Sequence, residues 1–448
     1  MIGLEIHTYL ITKQKLFCSC KNSREKGLKP NSNICPICTG QPGSKPMKPL
    51  EEAVFNATQI GLMLGCTISD KMPWQRKHYN WPDLPKGYQL TLSGSHSQPL
   101  GLNGNFHGIK ISSMHLEEDP ASWNPDTGEV DYNRSGIPLV EIVTDPDFTD
   151  SNQVVEWLSI LLQNLMYLGV VDSNAGIKVD VNVNIHGKTE RTEIKNISSL
   201  ESIKSAIDFE LERHNTEGQD KKETRRFNSN SGKTEKMRDK EDQDDYRFIR
   251  DPDLPLLVLD QNFIECAKKA LPETPEEKMK KLTSEFGLEE KEASIISSNR
   301  FVSDFYEKVA SEVEPKLAYF WVTGELLRLL NTHDCQLTEL DIKIDHFVQL
   351  IKLVQNESIT ALKAKEIIKQ FYPKSFMPEV ESLGKITDKE ELSKIINEVL
   401  ENNKEVVDSY RAGKKESLNF LFGEVMKATK KRADVKTSRE ILTELLNK

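Results

Sequence analysis

Two short stretches alternate strictly between apolar and polar residues, and they constrain the fold of this chain more than anything else in it. At the start, Ile2, Leu4 and Ile6 alternate with Gly3, Glu5 and His7. Much further along, Val179, Val181, Val183 and Ile185 alternate with Asp180, Asn182, Asn184 and His186. A period of two belongs to a β-strand with one buried face. Each stretch therefore requires a sheet with a core on one side, and each puts metal-friendly side chains on the other. Glu5 and His7 point the same way from a rigid element, as a divalent-metal site needs. A half-exposed strand with two polar side chains is the plainer reading of the same residues.

Cys18-Ser-Cys20 and Cys35-Pro-Ile-Cys38 follow, with fourteen residues between the pairs. Two close pairs of thiolates separated by a loop can close a tetrahedron around zinc. The first pair is C-x-C rather than the commoner C-x-x-C. With all four positions filled by cysteine the site is expected to be structural, holding a Gly-, Pro-, Asn- and Lys-rich segment that has little core of its own. The other reading is four free thiols in a loop. Seven cysteines, four of them clustered, fit a reducing compartment better than a disulfide framework, so the expected location is the cytoplasm. No signal-peptide pattern opens the sequence, and little or no leader is expected before the first strand. No window approaches the roughly 18 apolar residues of a membrane span.

The 448 residues are enough for about two to four domains. A formal net charge of −10 argues against nucleic-acid binding by the whole surface. It conceals a basic end, since Arg411 to Lys448 carries ten Lys/Arg against five Asp/Glu. That excess fits a nucleic-acid contact, and it also fits a solvated helix face.

Between these landmarks, Leu50 to Cys66 has the period of a helix, with Ala53, Val54, Ala57, Ile60, Gly61 and Leu64 on one side. The stretch Lys77-His-Tyr-Asn-Trp-Pro-Asp-Leu-Pro-Lys-Gly-Tyr-Gln89 reads as an ordered loop. Its Lys77, Tyr79, Trp81, Lys86, Tyr88 and Gln89 could stack on a base and meet phosphates, or simply pack on the core. Ile109 to Glu118 reads as a strand running into Glu117-Glu118-Asp119-Pro120. Asp131-Tyr-Asn-Arg-Ser-Gly136 reads as a turn before the strand Ile137-Pro-Leu-Val-Glu-Ile-Val143. Glu141 sits inside that apolar run, so its carboxylate needs a cation or a donor, and a salt bridge or a metal would serve. Ser151 to Leu168 reads as an amphipathic helix capped by Asp150 or Ser151. Ser231-Gly-Lys-Thr234 imitates the end of a P-loop, but that motif's first glycine would fall at Phe227. It reads better as the turn of a hairpin pairing Thr224–Phe227 with Thr234–Arg238.

Several of these stretches together resemble a known family. Ile-Gly-Leu-Glu-Ile-His7, Lys-Leu-Phe-Cys-Ser-Cys20, Cys-Pro-Ile-Cys38 and Pro-Asp-Leu-Pro-Lys-Gly-Tyr-Gln89 resemble the B subunits of glutamyl/aspartyl-tRNA amidotransferases. So do Leu-Glu-Glu-Asp119, Asp-Tyr-Asn-Arg-Ser-Gly136, Pro-Leu-Val-Glu-Ile-Val143, Glu-Thr-Arg-Arg-Phe227 and Asp-Asp-Tyr-Arg247. Phe-Leu-Phe-Gly-Glu-Val-Met-Lys-Ala-Thr429 resembles the YqeY-like tail of the same proteins.

The resemblance implies an α+β protein: an antiparallel-sheet cradle domain, then an all-α helical domain, then a small α-helical tail that meets tRNA. A composition shift near Leu271-Pro272 and another from Lys374 to Lys385 place these at 1–272, 273–375 and 376–448. Helical periodicity from Pro275 to Asn447, with breaks at Pro315, Pro373, Pro378 and Gly413, agrees with the last two. The resemblance further implies ATP-dependent phosphorylation of the side-chain carboxylate of glutamate or aspartate misacylated on tRNA, followed by amidation with ammonia. The ammonia would come from the family's A subunit, a glutaminase. The small C subunit would clamp the other two together, and neither DNA nor a membrane is expected as a partner. The family's magnesium residues fall on Glu5, His7, Glu118 and Glu141, with Asp180 the next catalytic candidate. Alternation from Ile109 instead puts Glu117 on the face of His115. Lys77, Tyr79, Lys86, Tyr88, Gln89 and Arg134 are the residues expected to hold ATP, and Cys18, Cys20, Cys35 and Cys38 those expected to hold zinc.

The chain departs from the family's usual pattern at Lys178-Val-Asp-Val-Asn182, at Lys195-Asn-Ile-Ser-Ser199 and at His78, which bears on substrate contacts near these strands. A zinc-stabilised, non-catalytic tRNA-binding adaptor is the alternative reading, and activation of a small free acid is a third. A converging acidic constellation would separate the first from the second. No nucleophilic Ser or Cys triad is evident, so glutaminase chemistry is not expected on this chain.

Overall fold

A computed structural model describes residues 1–24, 27–172, 176–239, 246–379 and 384–447. Asp244 and Asp245 of the motif ending at Arg247 lie outside them, as do residues 380–383 of the expected second boundary. The chain divides into two compact units, Met1–Glu273 and Thr274–Lys448. No helix among the described residues is long and apolar enough to cross a membrane.

The first unit is built on strands β1 (Ile2–Tyr9), β2 (Thr67–Ile68), β3 (Lys71–Met72), β4 (Gln75–His78), β5 (Gln89–Thr91), β6 (Gly101–Phe106), β7 (Ile109–Glu118) and β8 (Ser122–Trp123). It continues with β9 (Val130–Asp131), β10 (Pro138–Thr144), β11 (Ile177–Val183), β12 (Thr192–Ile197), β13 (Glu223–Asn228), β14 (Lys233–Asp239), β15 (Arg247–Arg250) and β16 (Leu257–Val258). Twelve of these form one sheet in the order β14-β13-β12-β11-β1-β10-β7-β5-β4-β15, with β6 beside β7 and β2 beside β6. Among the described residues, the one parallel pairing within the sheet is β12 with β13. The first alternating stretch, β1, thus lies at the centre, between β10 and the second alternating stretch, β11.

Alternation decides which side of that sheet is dry. Ile2, Leu4 and Ile6 are fully buried and share a core with Ala57 and Ile60 of α1 (Glu51–Met63), Trp157 and Leu161 of α2 (Ser151–Leu168), and Ile203 and Ile207 of α3 (Leu200–Thr216). α1 stops short of the expected Cys66, because Gly65 takes φ 70° and turns the chain into β2. α2 starts where expected because the Asp150 carboxylate accepts the N–H groups of Asn152 and Gln153. Glu5 and His7 are left on the opposite face.

The 77–89 stretch is not a loop throughout. Arg76 to His78 pair with β15, and Lys77 pairs with Gln89, so its ends are strands and only residues 79–88 turn. Local composition could not show this, because the partner strand is supplied from Arg247–Arg250. The 223–239 hairpin forms as expected, its turn closed by Gly232 at φ 65°.

Among the described residues the second unit is built of helices, the first starting at Pro275 and the last ending at Leu446. Its first helix opens with a capping box between Thr274 and Glu277. One apolar cluster gathers Trp321, Phe347 and Phe371, and another gathers Ile396, Leu421 and Leu442. Between them run a Thr360 hydroxyl to the Lys431 carbonyl, Lys385 to Glu357 at 3.3 Å, and Lys431 to Glu366 at 2.6 Å.

Candidate active site

Strand register builds the site. His7 of β1 lies opposite Glu141 of β10, which lies opposite His115 of β7. Glu117 is two residues along β7 from His115 and so shares its face. These side chains meet: His7 Nε2 is 3.6 Å from Glu141 Oε1 and 4.0 Å from Glu117 Oε1. Burial disfavours the His7 imidazolium, but its hydrogen bond to Glu141 and the nearby carboxylates raise its pKa to about 9. Burial works against the Glu141 carboxylate too, yet His7 and Lys77 hold it well below the usual range. Glu117 moves the other way, pushed up by burial and then by the charge of Glu141.

One ligand atom each from His7, Glu117 and Glu141 lies within 4.8 Å of the others. Glu117 Oε2 is buried and has no hydrogen-bond partner among the described residues. A carboxylate oxygen left bare beside a second carboxylate and an imidazole is a donor set that fits a hard divalent cation.

Glu5 belongs to a neighbouring group. Its ligand atom clusters with those of Asp180 and Glu193, again within 4.8 Å. Lys195 already places its ammonium 2.7 Å from Asp180 and 2.6 Å from Glu193. Asn182 donates to Glu5 Oε1 at 3.0 Å. The charge on this second group is therefore partly met from within the chain.

Glu118 is not with His7. It falls on the other face of β7, where Lys86 reaches it at 2.5 Å and the Leu90 N–H at 3.0 Å. The reason is the strand's pleat: adjacent residues point to opposite faces, so only one of Glu117 and Glu118 can meet His7. The implied metal set Glu5, His7, Glu118 and Glu141 is thus divided, and the set brought together is His7, Glu117 and Glu141.

The loop residues divide the same way. Lys77 and Gln89 line two adjoining clefts of about 380 and 600 Å³. Tyr79 and Lys195 line the larger with Tyr246, and Arg134 and Lys178 line the smaller with His7 and Glu117. Lys86 and Tyr88 line neither, and Tyr88 faces Arg76 with 4.5 Å from guanidinium to ring. Sequence reasoning passed over Glu193, met Lys178 only as a departure from the family's pattern, and set Glu117, the choice of alternation, behind the Glu118 that the resemblance implies. Thr192–Ile197 alternates, and reading it as a strand would have put Glu193 and Lys195 on one face.

Cys18, Cys20, Cys35 and Cys38 also converge, with their sulfur atoms within 4.8 Å of one another. Cys18 donates to Cys38 and, against burial, combines with the Cys35 N–H and Lys15 to bring the Cys38 thiol down to about 4. Four mutually close sulfurs, one readily a thiolate, are the donor set of a closed zinc site. The segment is stitched to the turn that carries Arg134: Ser135 Oγ donates to the Cys38 carbonyl at 2.7 Å and Asn33 N–H to Asn133 at 2.8 Å.

One sheet face thus carries two clusters of carboxylates beside clefts lined by Lys77, Arg134, Lys178 and Lys195. The GatB/GatE catalytic domain profile matches residues 1–265, and the GatB domain profile matches residues 304–446. The B subunit of the aspartyl/glutamyl-tRNA(Asn/Gln) amidotransferase of Methanopyrus kandleri is 37% identical across 100% of this chain and 98% of its own length. The B subunits of the same name from Methanocaldococcus jannaschii and Methanobrevibacter smithii are each 39% identical, over 100% and 99% of this chain and 98% and 99% of their own lengths. The chain belongs to the GatB family, the B subunits of aspartyl/glutamyl-tRNA amidotransferases.

Proposed function

We propose that this chain is the activating component of a tRNA-dependent amidotransferase, a ligase that forms a carbon–nitrogen bond. It takes glutamate or aspartate misacylated on tRNA, phosphorylates the side-chain carboxylate with ATP, and replaces the phosphate with ammonia. In the first step a carboxylate oxygen bonds to the γ-phosphorus as ADP leaves. In the second, ammonia bonds to the acyl carbon, phosphate leaves and a proton is lost. The full-length relatives support this reading. The observation that carries it is the convergence of His7, Glu117 and Glu141 beside Lys77 at the junction of two clefts.

Magnesium held by His7, Glu117 and Glu141 would neutralise charge on the phosphates. Lys77 lines both clefts, so its ammonium can bridge what they hold. The larger cleft has the aromatic walls a nucleotide base needs, with Tyr79 and Tyr246 edge to face at 5.8 Å. Glu5, Asp180, Glu193 and Lys195 shape the floor beside the metal group. The cysteine cluster holds zinc and fixes the Arg134 turn. Ammonia arrives from a glutaminase partner, the A subunit, with the small C subunit completing the complex, and the basic tail meets tRNA phosphates. The setting is cytoplasmic translation.

The test supplies the assembled complex with labelled ATP and misacylated tRNA but no ammonia. Label is expected on the aminoacyl-tRNA. Its absence, with glutaminase intact, overturns the reading.

A further inference from the structure

The smaller cleft is lined by Lys77, Arg134 and Lys178 against Asp83, Glu117 and Asp119. Lys178 lines it and makes no hydrogen bond or close ion pair among the described residues, Asp119 and Asp180 acting on it only through space. Arg134 lines it too, with Nε 2.7 Å from Asp119 Oδ2 and Nη2 donating to the Ala121 carbonyl at 3.0 Å. Arg24 stacks its guanidinium 3.7 Å from the Tyr9 ring, at the same end. Asp119 is buried and taken by Arg134, and Asp83 also lines the cleft and feels the charge of Arg134. Of the two cations that line the cleft at this end, Arg134 is paired with Asp119 and Lys178 is not. Burial, and after it the repulsion of Arg134, holds the Lys178 ammonium below its usual pKa.

A half-buried ammonium without a partner is costly in a folded protein, and an arriving anion removes that cost. The position is also informative. Lys178 and His7 are register partners on adjacent strands, so the unsatisfied charge lies one strand from the metal group. An ammonium beside a guanidinium, one a point charge and the other a planar fork, is suited to a phosphate group.

We infer that Lys178, with Arg134 beside it, is a phosphate seat at the Tyr9 end of the cleft, one strand from the His7 group. Lys178 positions and binds; it is assigned no part in bond making. This rests on the activating role proposed above, where two phosphate sources enter the site: the nucleoside triphosphate and the terminal phosphodiester of the tRNA acceptor strand.

The experiment uses the full chain assembled with its partner subunits and compares Lys178→Met with Lys178→Arg. KM and kcat are measured separately for ATP and for misacylated tRNA. In parallel a non-hydrolysable ATP analogue and an acceptor-stem minihelix are each titrated by calorimetry. Loss of one charge-assisted contact is expected to weaken one ligand roughly tenfold or more in Lys178→Met, with kcat changed much less, and Lys178→Arg is expected to recover most of it. A shift confined to ATP places the nucleotide at the seat, and one confined to the tRNA arm places the acceptor end there. Both affinities within twofold of wild type overturn the assignment, as does a fall in kcat that Lys178→Arg does not restore. If Lys178→Met does not assemble, Lys178→Gln is read by the same titrations. Should the wild-type complex form no phosphorylated intermediate, the activating role fails, and the titrations still judge the seat.

Discussion

Glu141 lies directly across the strand boundary from His7, and its Oε1 comes within 3.6 Å of His7 Nε2. Neither residue is free to choose another partner, since both are held by the central pairing of the sheet. Replacing His7 by Ala removes one member of the group and leaves the carboxylates. Loss of one electrostatic stabiliser of this kind lowers the rate by roughly 10²-fold or more. The expected result for His7→Ala and for Glu141→Gln is that loss in forming phosphorylated aminoacyl-tRNA, with glutamine hydrolysis by the glutaminase partner altered far less. Wild-type rates in both variants would falsify the site.

Glu117 and Glu118 are neighbours with opposite fates. Glu117→Gln should weaken magnesium binding, measured by calorimetric titration of the protein, and leave thermal stability nearly unchanged. Glu118→Gln should leave magnesium affinity as it is and lower stability. The reason is that Lys86 then remains buried without its anion, a change that costs about 3–5 kcal/mol where one partner of a buried pair is removed. Denaturant titration reads the second effect, and an unchanged midpoint in Glu118→Gln contradicts the pairing.

The cysteine cluster makes a prediction beyond its own metal. Elemental analysis should find one zinc per chain, and Cys35→Ser with Cys38→Ser should abolish it. Because Ser135 and Asn133 are tied to this segment, loss of zinc should loosen the Arg134 turn as well as lower the melting temperature. Hydrogen exchange at residues 131–136 measures that coupling. Protection there that is identical with and without zinc means the two segments are independent.

Glu210 of α3 sets an acid limit on stability. It is fully buried and receives Arg213 at 2.7 Å, Arg225 at 3.1 Å and the Thr234 hydroxyl. Burial alone would raise its pKa, but hydrogen bonds from His214, Arg213 and Thr234 bring it down to about 2. A carboxylate depressed on folding stabilises above its unfolded pKa, roughly 4.3, and loses that contribution as the pH falls towards 2. Urea titrations from pH 7 to pH 2 should show stability falling across that window, and Glu210→Gln should be less stable at pH 7 and flatter below pH 4. Parallel profiles for the two proteins count against the network.

Much of this protein was legible in the chain because alternation is a local property. Ile2 to His7 and Val179 to Val183 announced strands with one dry face, and both lie at the centre of the sheet. The start of α2 was readable because a cap at Asp150 or Ser151 acts within a turn of the helix, and the structure uses Asp150. The cysteine spacing pointed to one cluster for the same reason. What the chain could not declare was partnership between distant strands. Whether Lys77 belongs to a loop or a strand depends on Arg247–Arg250. Whether Glu117 or Glu118 meets His7 depends on the register of β7 against β10, and a slip of one residue would exchange them. Glu5 and His7 share a face of β1, yet β11 and β12 draw Glu5 towards Asp180 and Glu193, while β10 and β7 draw His7 towards Glu141 and Glu117. Residue type and local period are written along the chain; which charges end up facing one another is set only when strands far apart in sequence are brought into register.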